Sequence, residues 1–194
     1  APAGGDTEVV LHAADVPAAD INGLWRRVSV IGAAAGIALE NTNLGERKKT
    51  TALASPVNYV DLRFTAQAGV PYWMWMRLRA KDNAYANDSL FVQFNGSVTS
   101  AGASTNRIGT TSARAVVLED CDRGGPPGWG WKDGGWVGGD APVYFKSTGP
   151  QTLRAQQRED GVMFDQIVLS AGDYAGTSPG DLKDDTTIVD DGSL

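Results

Sequence analysis

Apolar and polar residues alternate with a period of two along most of this chain. Residues 59–66 (YVDLRFTA) show it most cleanly, with Val60, Leu62 and Phe64 on one side and Tyr59, Asp61, Arg63 and Thr65 on the other. That is the pattern of a half-buried strand. Residues 72–80 (YWMWMRLRA) are bulky on both faces. Tyr72, Met74, Met76 and Leu78 read as a core face. Trp73, Trp75, Arg77 and Arg79 form an opposite face, one that could bind a glycan chain but that another loop or the tail is expected to cover. Leu90, Val92 and Phe94 alternate before the turn Asn95-Gly96, which ends a further strand. Similar runs at 8–13, 24–31, 36–40, 114–118, 143–146, 152–157 and 162–169 bring the number to about ten, enough for two packed sheets. No long segment has helical periodicity. The pattern predicts an all-β, two-sheet β-sandwich.

With 194 residues the chain is long enough for one full hydrophobic core. It reads as a single domain over 1–194, with a linker-like stretch at 1–7. An irregular tail, 171–194, is expected to pack on the sandwich, with 186–189 pairing at a sheet edge. The net charge is −6, the wrong sign for gripping nucleic acid or an anionic membrane. No stretch approaches the roughly 20 apolar residues of a spanning helix. A single cysteine, Cys121, excludes an internal disulfide. The small-residue start (APAGG) resembles a linker stub or the remnant of a processed export signal. A secreted, extracellular, bacterial module is therefore expected.

Candidate chemistry lies in three long loops, 81–88, 99–113 and 119–142, since binding residues favour loops on a rigid scaffold. The strongest signal is residues 128–136 (GWGWKDGGW), with Trp129, Trp131 and Trp136 among glycines and few aliphatic residues. An exposed tryptophan offers a flat apolar face on which a sugar ring stacks, and an indole N–H. The loop at 81–88 adds Tyr85, Asn87 and Asp88, an aromatic with polar groups suited to reading hydroxyls. Asp160-Gly161 reads as a hairpin turn that carries Arg158 to a sandwich end. Catalysis finds little support. The one histidine, His12, sits in a strand, and any Ser-His-Asp set would have to use it. Cys121 stands between Asp120 and Asp122, which disfavours a thiolate.

Several local phrases carry a resemblance to a known family. They are an opening strand (VVLHAA, 9–14), YVDLRF at 59–64, the turn GVPY at 69–72, a strand ending Arg77-Leu78-Arg79, and the closing strand GVMFDQIVL at 161–169. Together they resemble galactose-binding-like β-jelly-roll carbohydrate-binding modules, similar to families 6 and 35. The resemblance implies a jelly-roll sandwich and a sugar site at loops of one sandwich end. It also implies a structural calcium held by acidic residues of the first strand and an aspartate of the last. Asp165 matches that aspartate, whereas His12 and Ala14 stand where the first-strand carboxylates belong.

The expected function is a non-catalytic module that binds plant or microbial polysaccharide through the tryptophan-bearing loop. It is expected as a monomer within a larger multidomain enzyme, with polysaccharide or oligosaccharide as its partner. The rival readings are a small β-jelly-roll glycan lyase or hydrolase, and a structural or adhesive domain of a larger secreted protein.

Overall fold

Thirteen strands form among the described residues of the computed structural model, which are 8–119 and 125–190. The linker-like stretch 1–7, Cys121 with Asp120 and Asp122, and residues 191–194 of the tail lie outside them. The strands are β1 (Glu8–His12), β2 (Ile21–Asn22), β3 (Trp25–Ser29), β4 (Ile37–Asn41), β5 (Tyr59–Ala66), β6 (Trp73–Ala80) and β7 (Ser89–Phe94). They continue with β8 (Ser97–Val98), β9 (Arg114–Val117), β10 (Trp129–Lys132), β11 (Tyr144–Phe145), β12 (Gly149–Gln157) and β13 (Val162–Ser170). Ten of them coincide with the runs expected from alternation. The other three are β2 and β8, of two residues each, and β10, which falls in the segment read as a tryptophan loop.

Two sheets make the sandwich. The first has the order β10-β6-β13-β4-β3, with β1 also on β13, and the second β2-β5-β12-β7-β9. Both are antiparallel throughout. The core lies between them. Tyr72, just before β6, and Met74, Met76 and Leu78 of β6 join Val60 and Leu62 of β5 and Leu90, Val92 and Phe94 of β7 in this core, the faces the alternation assigned. Phe145 of β11 packs edge-on against Phe64, Tyr72 and Phe94 with centroids 5.5–5.9 Å apart. On the polar side of β5, Asp61 accepts two hydrogen bonds from Arg154, whose guanidinium lies 3.9 Å from the Tyr59 ring centroid.

A register shift between Phe164 and Gln166 in β13 inserts Asp165 as a bulge. Strict alternation would turn Gln166 inward and Ile167 outward. The bulge resets the phase, so Phe164, Ile167 and Leu169 all enter the core and Asp165 and Gln166 both face outward. This one extra residue creates the polar centre of the outer face of the first sheet.

The tail crosses that outer face. Residues 181–185 run along the free edge of β10: Trp131 N–H donates to Asp181 O (3.0 Å) and Asp185 N–H to Trp129 O (2.8 Å). The segment expected at a sheet edge, 186–189, instead lies over the face. The Gln166 side chain bonds both the N–H and the C=O of Val189, at 3.0 and 2.7 Å. Edge pairing falls to the more polar residues just before it, which leaves Val189 free to pack on Trp75, Trp131 and Val168. Among the described residues no helix is long and apolar enough to cross a membrane.

Candidate functional site

Trp129 and Trp131 are not exposed loop tryptophans. Both lie in β10, opposite Arg79 and Arg77 of β6, so the period of two puts both rings on the outer face of the first sheet. Trp129 packs with Ala33, Ala38 and Met163, and the Arg77 guanidinium lies 4.9 Å from its ring centroid. Trp131 packs with Trp75, Val168 and Val189, and its indole N–H donates to Thr187 O (3.2 Å). The aliphatic partners missing from the local sequence come from distant segments, chiefly the 33–38 turn and the tail. Both rings are buried. Trp136, beyond the strand, is 52 % exposed.

Arg77 is the hub beneath the tail. It is fully buried, pairs with Asp165, and donates to Gly32 O and Asp185 O, each at 3.1 Å. Asp165 Oδ2 also accepts the Ala34 N–H (2.7 Å). Burial raises the Asp165 carboxyl above the usual carboxylate range, while Ala34 and Arg77 pull it back. A calcium ion wants six to eight oxygen ligands. Here one carboxylate oxygen already faces a guanidinium and a peptide N–H. Among the described residues no group of three or more His, Cys, Asp or Glu converges. The residues around Asp165 do not fit calcium, and the aspartate serves as the counter-ion of an arginine. His12 takes part only through its ring nitrogen, 3.4 Å from the Gln166 amide.

The loop candidates Tyr85, Asn87, Asp88 and Arg158 do converge at one sandwich end. Tyr85 is exposed, but the others face inward. Asn87 donates to Lys81 O (3.1 Å), and Gly161 lies against it with no room for a side chain. Asp88 is buried, accepts the Glu119 N–H (3.0 Å) and shares a hydrogen bond with Glu159. Burial first, then the bond to Glu159 and its charge, push the Asp88 carboxyl up to about 8. Burial also raises Glu159, but bonds from Ser89, Asp88 and Lys48 outweigh it, and the net shift is downward. Arg158 donates to Ser89 Oγ, which donates to Glu159. The shifts run in opposite directions, so Asp88 holds its proton more tightly than Glu159 does. The pair is buried and in direct contact, whereas carboxylates that cleave a glycosidic bond stand about 5–9 Å apart around it.

The open site lies along the free edge of β9. After β10, residues 133–142 bridge the seam between the two sheets. Gly134 O accepts the Val117 N–H (2.9 Å), and Ala141 O accepts Arg114 Nη2 (2.5 Å). Between this segment and the 99–113 loop is a cleft of about 590 Å³, lined among others by Thr99, Asn106, Arg114, Asp140 and Tyr144. Phe145 is anchored in the core, so the alternation of β11 turns its neighbour Tyr144 toward the cleft. Burial lowers the Arg114 pKa, and the charges of Asp140 and Asp133 oppose that shift. Hydroxyls, an amide, a guanidinium and a carboxylate supply both donors and acceptors. Trp136 directly follows Gly135, another lining residue. Of these residues, reading the sequence picks out Trp136 alone by type. The rest carry no motif, and only the length of the loops 99–113 and 119–142 marks them.

No protein-family model matches the chain, and no curated protein sequence does. Solved structures do match. The GH26–CBM35 β-(1,4)-mannanase of Podospora anserina has a TM-score of 0.51 at 11 % identity, over 86 % of this chain and 28 % of that one. The C-terminal family 6 carbohydrate-binding module of LamC, a laminarinase from Zobellia galactanivorans, gives 0.48 at 10 % identity, over 84 % and 98 %. A family 35 carbohydrate-binding module from Clostridium thermocellum gives 0.43 at 12 % identity, over 84 % and 98 %. The chain spans little more than a quarter of the mannanase it matches. What the chain shares with the mannanase structure is a fold, here an antiparallel two-sheet β-sandwich.

Proposed function

We propose that this chain is a non-catalytic carbohydrate-binding module that holds plant or microbial polysaccharide in the cleft beside Trp136. In this reading it is an extracellular, bacterial, monomeric part of a larger enzyme. The observation that carries the proposal is a cleft whose lining reads hydroxyls, with an exposed tryptophan next in the chain to its lining residue Gly135. Trp136 supplies the stacking face. Arg114, Asn106, Asp140 and Tyr144 supply hydrogen bonds. Catalysis has no comparable support, because Asp88 and Glu159 satisfy each other in the interior.

Affinity electrophoresis and calorimetry against soluble glucans, xylans, mannans and pectins test the proposal. Trp136→Ala is expected to weaken binding at least about tenfold, the equivalent of ~1.4 kcal/mol. The same panel is expected to gain no new reducing ends or unsaturated products. Binding that is indifferent to Trp136→Ala would remove the assignment, and product formation would replace it with an enzyme.

A further inference from the structure

We infer that the chain carries a second sugar-binding site, on the other side of residues 133–142. It is a pocket of about 340 Å³ between that segment and the tail, lined by Trp73, Trp75, Trp131, Lys132, Asp133 and Asp140 among others. Asp140 is the only lining residue it shares with the cleft. The inference rests on the reading of the chain as a saccharide binder.

Three features make this a built site. The first is the tryptophan floor. The Trp75 indole N–H is taken by Tyr174 O (2.9 Å) and that of Trp131 by Thr187 O (3.2 Å). Among the described residues nothing accepts the Trp73 indole N–H, and Trp73 is only half-buried. Trp73 therefore keeps both ring surface and a donor for a ligand.

The second is Lys132, which is only 6 % exposed. Its ammonium has three N–H donors but a single acceptor among the described residues, Trp136 O at 3.1 Å. A buried cation left with two unused donors calls for oxygen acceptors, and the pocket is where they fit.

The third is the carboxylate beside it. Asp133 Oδ2 is held by the N–H groups of Gly139 and Asp140 (2.7 and 3.0 Å), which leaves Oδ1 to accept. A side chain at Gly138 would stand 3.2 Å from Asp133 Oδ1 and 3.6 Å from Lys132 Nζ. Glycine, at φ +67°, leaves the approach to both open.

This chemistry selects a neutral sugar ring. The ring stacks on Trp73, and adjacent hydroxyls accept from Lys132 and donate to Asp133. One cation against two carboxylates leaves the pocket net negative, which disfavours uronates and sulfated sugars. The chain then holds two glycan segments, one on each side of residues 133–142.

The test uses the intact chain labelled with ¹⁵N, following the six tryptophan indole N–H signals. Cellohexaose, laminarihexaose, xylohexaose and mannohexaose are titrated in turn. With a hexasaccharide that binds, the Trp73 and Trp136 signals are both expected to shift, while the buried Trp25 and Trp129 stay still. Lys132→Met is expected to raise the concentration needed for the Trp73 shift at least about tenfold. If Trp136 responds to saturation and Trp73 stays silent, the second site is wrong and the module reading stands. If Trp73 alone responds, the second site stands and the cleft falls. If neither responds to any of the four, both are overturned.

Discussion

Replacing Asp88 by asparagine should flatten the dependence of stability on pH. Asp88 is buried, with its carboxyl raised to about 8, first by burial and then by Glu159. An unfolded aspartate titrates near 3.9. Between those values the folded chain holds a proton that the unfolded chain has released. A group with a raised folded pKa stabilises fully below the unfolded pKa and loses that contribution as pH rises through the folded one. Glu159 runs the other way, and its lowered pKa matters only as pH falls below the ordinary glutamate range. From pH 5 to 8 Glu159 therefore adds no slope, Asp88 makes stability fall, and the raised Asp165 carboxyl acts in the same direction. At about 1.4 kcal/mol per unit, three units give an upper bound of about 4 kcal/mol, and solvent reaching the pair lowers this to about 2–4 kcal/mol. Asp88→Asn keeps an oxygen for the Glu119 N–H and an N–H for Glu159, so it imitates the protonated acid at every pH. Urea unfolding at pH 5, 6.5 and 8, at constant ionic strength, measures both proteins. The wild-type chain should lose stability across this range, and the variant should lose clearly less. A wild-type profile that is flat or rising, or an Asp88→Asn profile as steep as wild type, refutes the shared-proton pair.

Three further substitutions probe the face beneath the tail, with Trp136→Ala as a contrast away from it. Arg77→Met strands the Asp165 carboxyl in the interior and should cost about 3–5 kcal/mol by chemical denaturation; a cost under 1 kcal/mol would mean the pair is not the hub described. Trp131→Ala opens a cavity among Trp75, Val168 and Val189 and should cost about 3–5 kcal/mol, whereas Trp136→Ala should change stability by no more than about 0.5 kcal/mol. Gly130→Ala places a methyl group 1.7 Å from Leu182 O and 3.0 Å from Leu118 Cδ1, so the tail must leave the edge of β10. Limited proteolysis should then cut within 176–190 faster than in wild type, and an unchanged cleavage rate would show that the tail is not held there.

How much of this could be read from the chain depends on where each residue's partners lie. Alternation finds a strand whenever its core face is filled by its own sequence, as in β5, β6 and β7. It misses β10 because that strand is four residues long, is interrupted by Gly130, and buries its tryptophans under segments 33–38 and 171–190. Glycine around tryptophan suggests an exposed loop, yet Gly130 is there because Leu182 O passes too close for any side chain. Glycine marked a close approach of backbone to backbone rather than freedom. The same logic applies to Asp165. Its sequence phrase suggests a metal ligand, but its partner is decided by Arg77, 88 residues away, and by a bulge that no periodicity announces. The opposite case is Trp136, whose Gly-rich surroundings bring no covering segment, and it stays exposed. The cleft beside it is assembled from Thr99, Asn106, Arg114 and Tyr144, residues common in any sequence, each on a different stretch of chain. Only the sandwich brings them together, so the site was legible as long loops and one aromatic, and its chemistry became legible only with the seam between β9 and β10 closed.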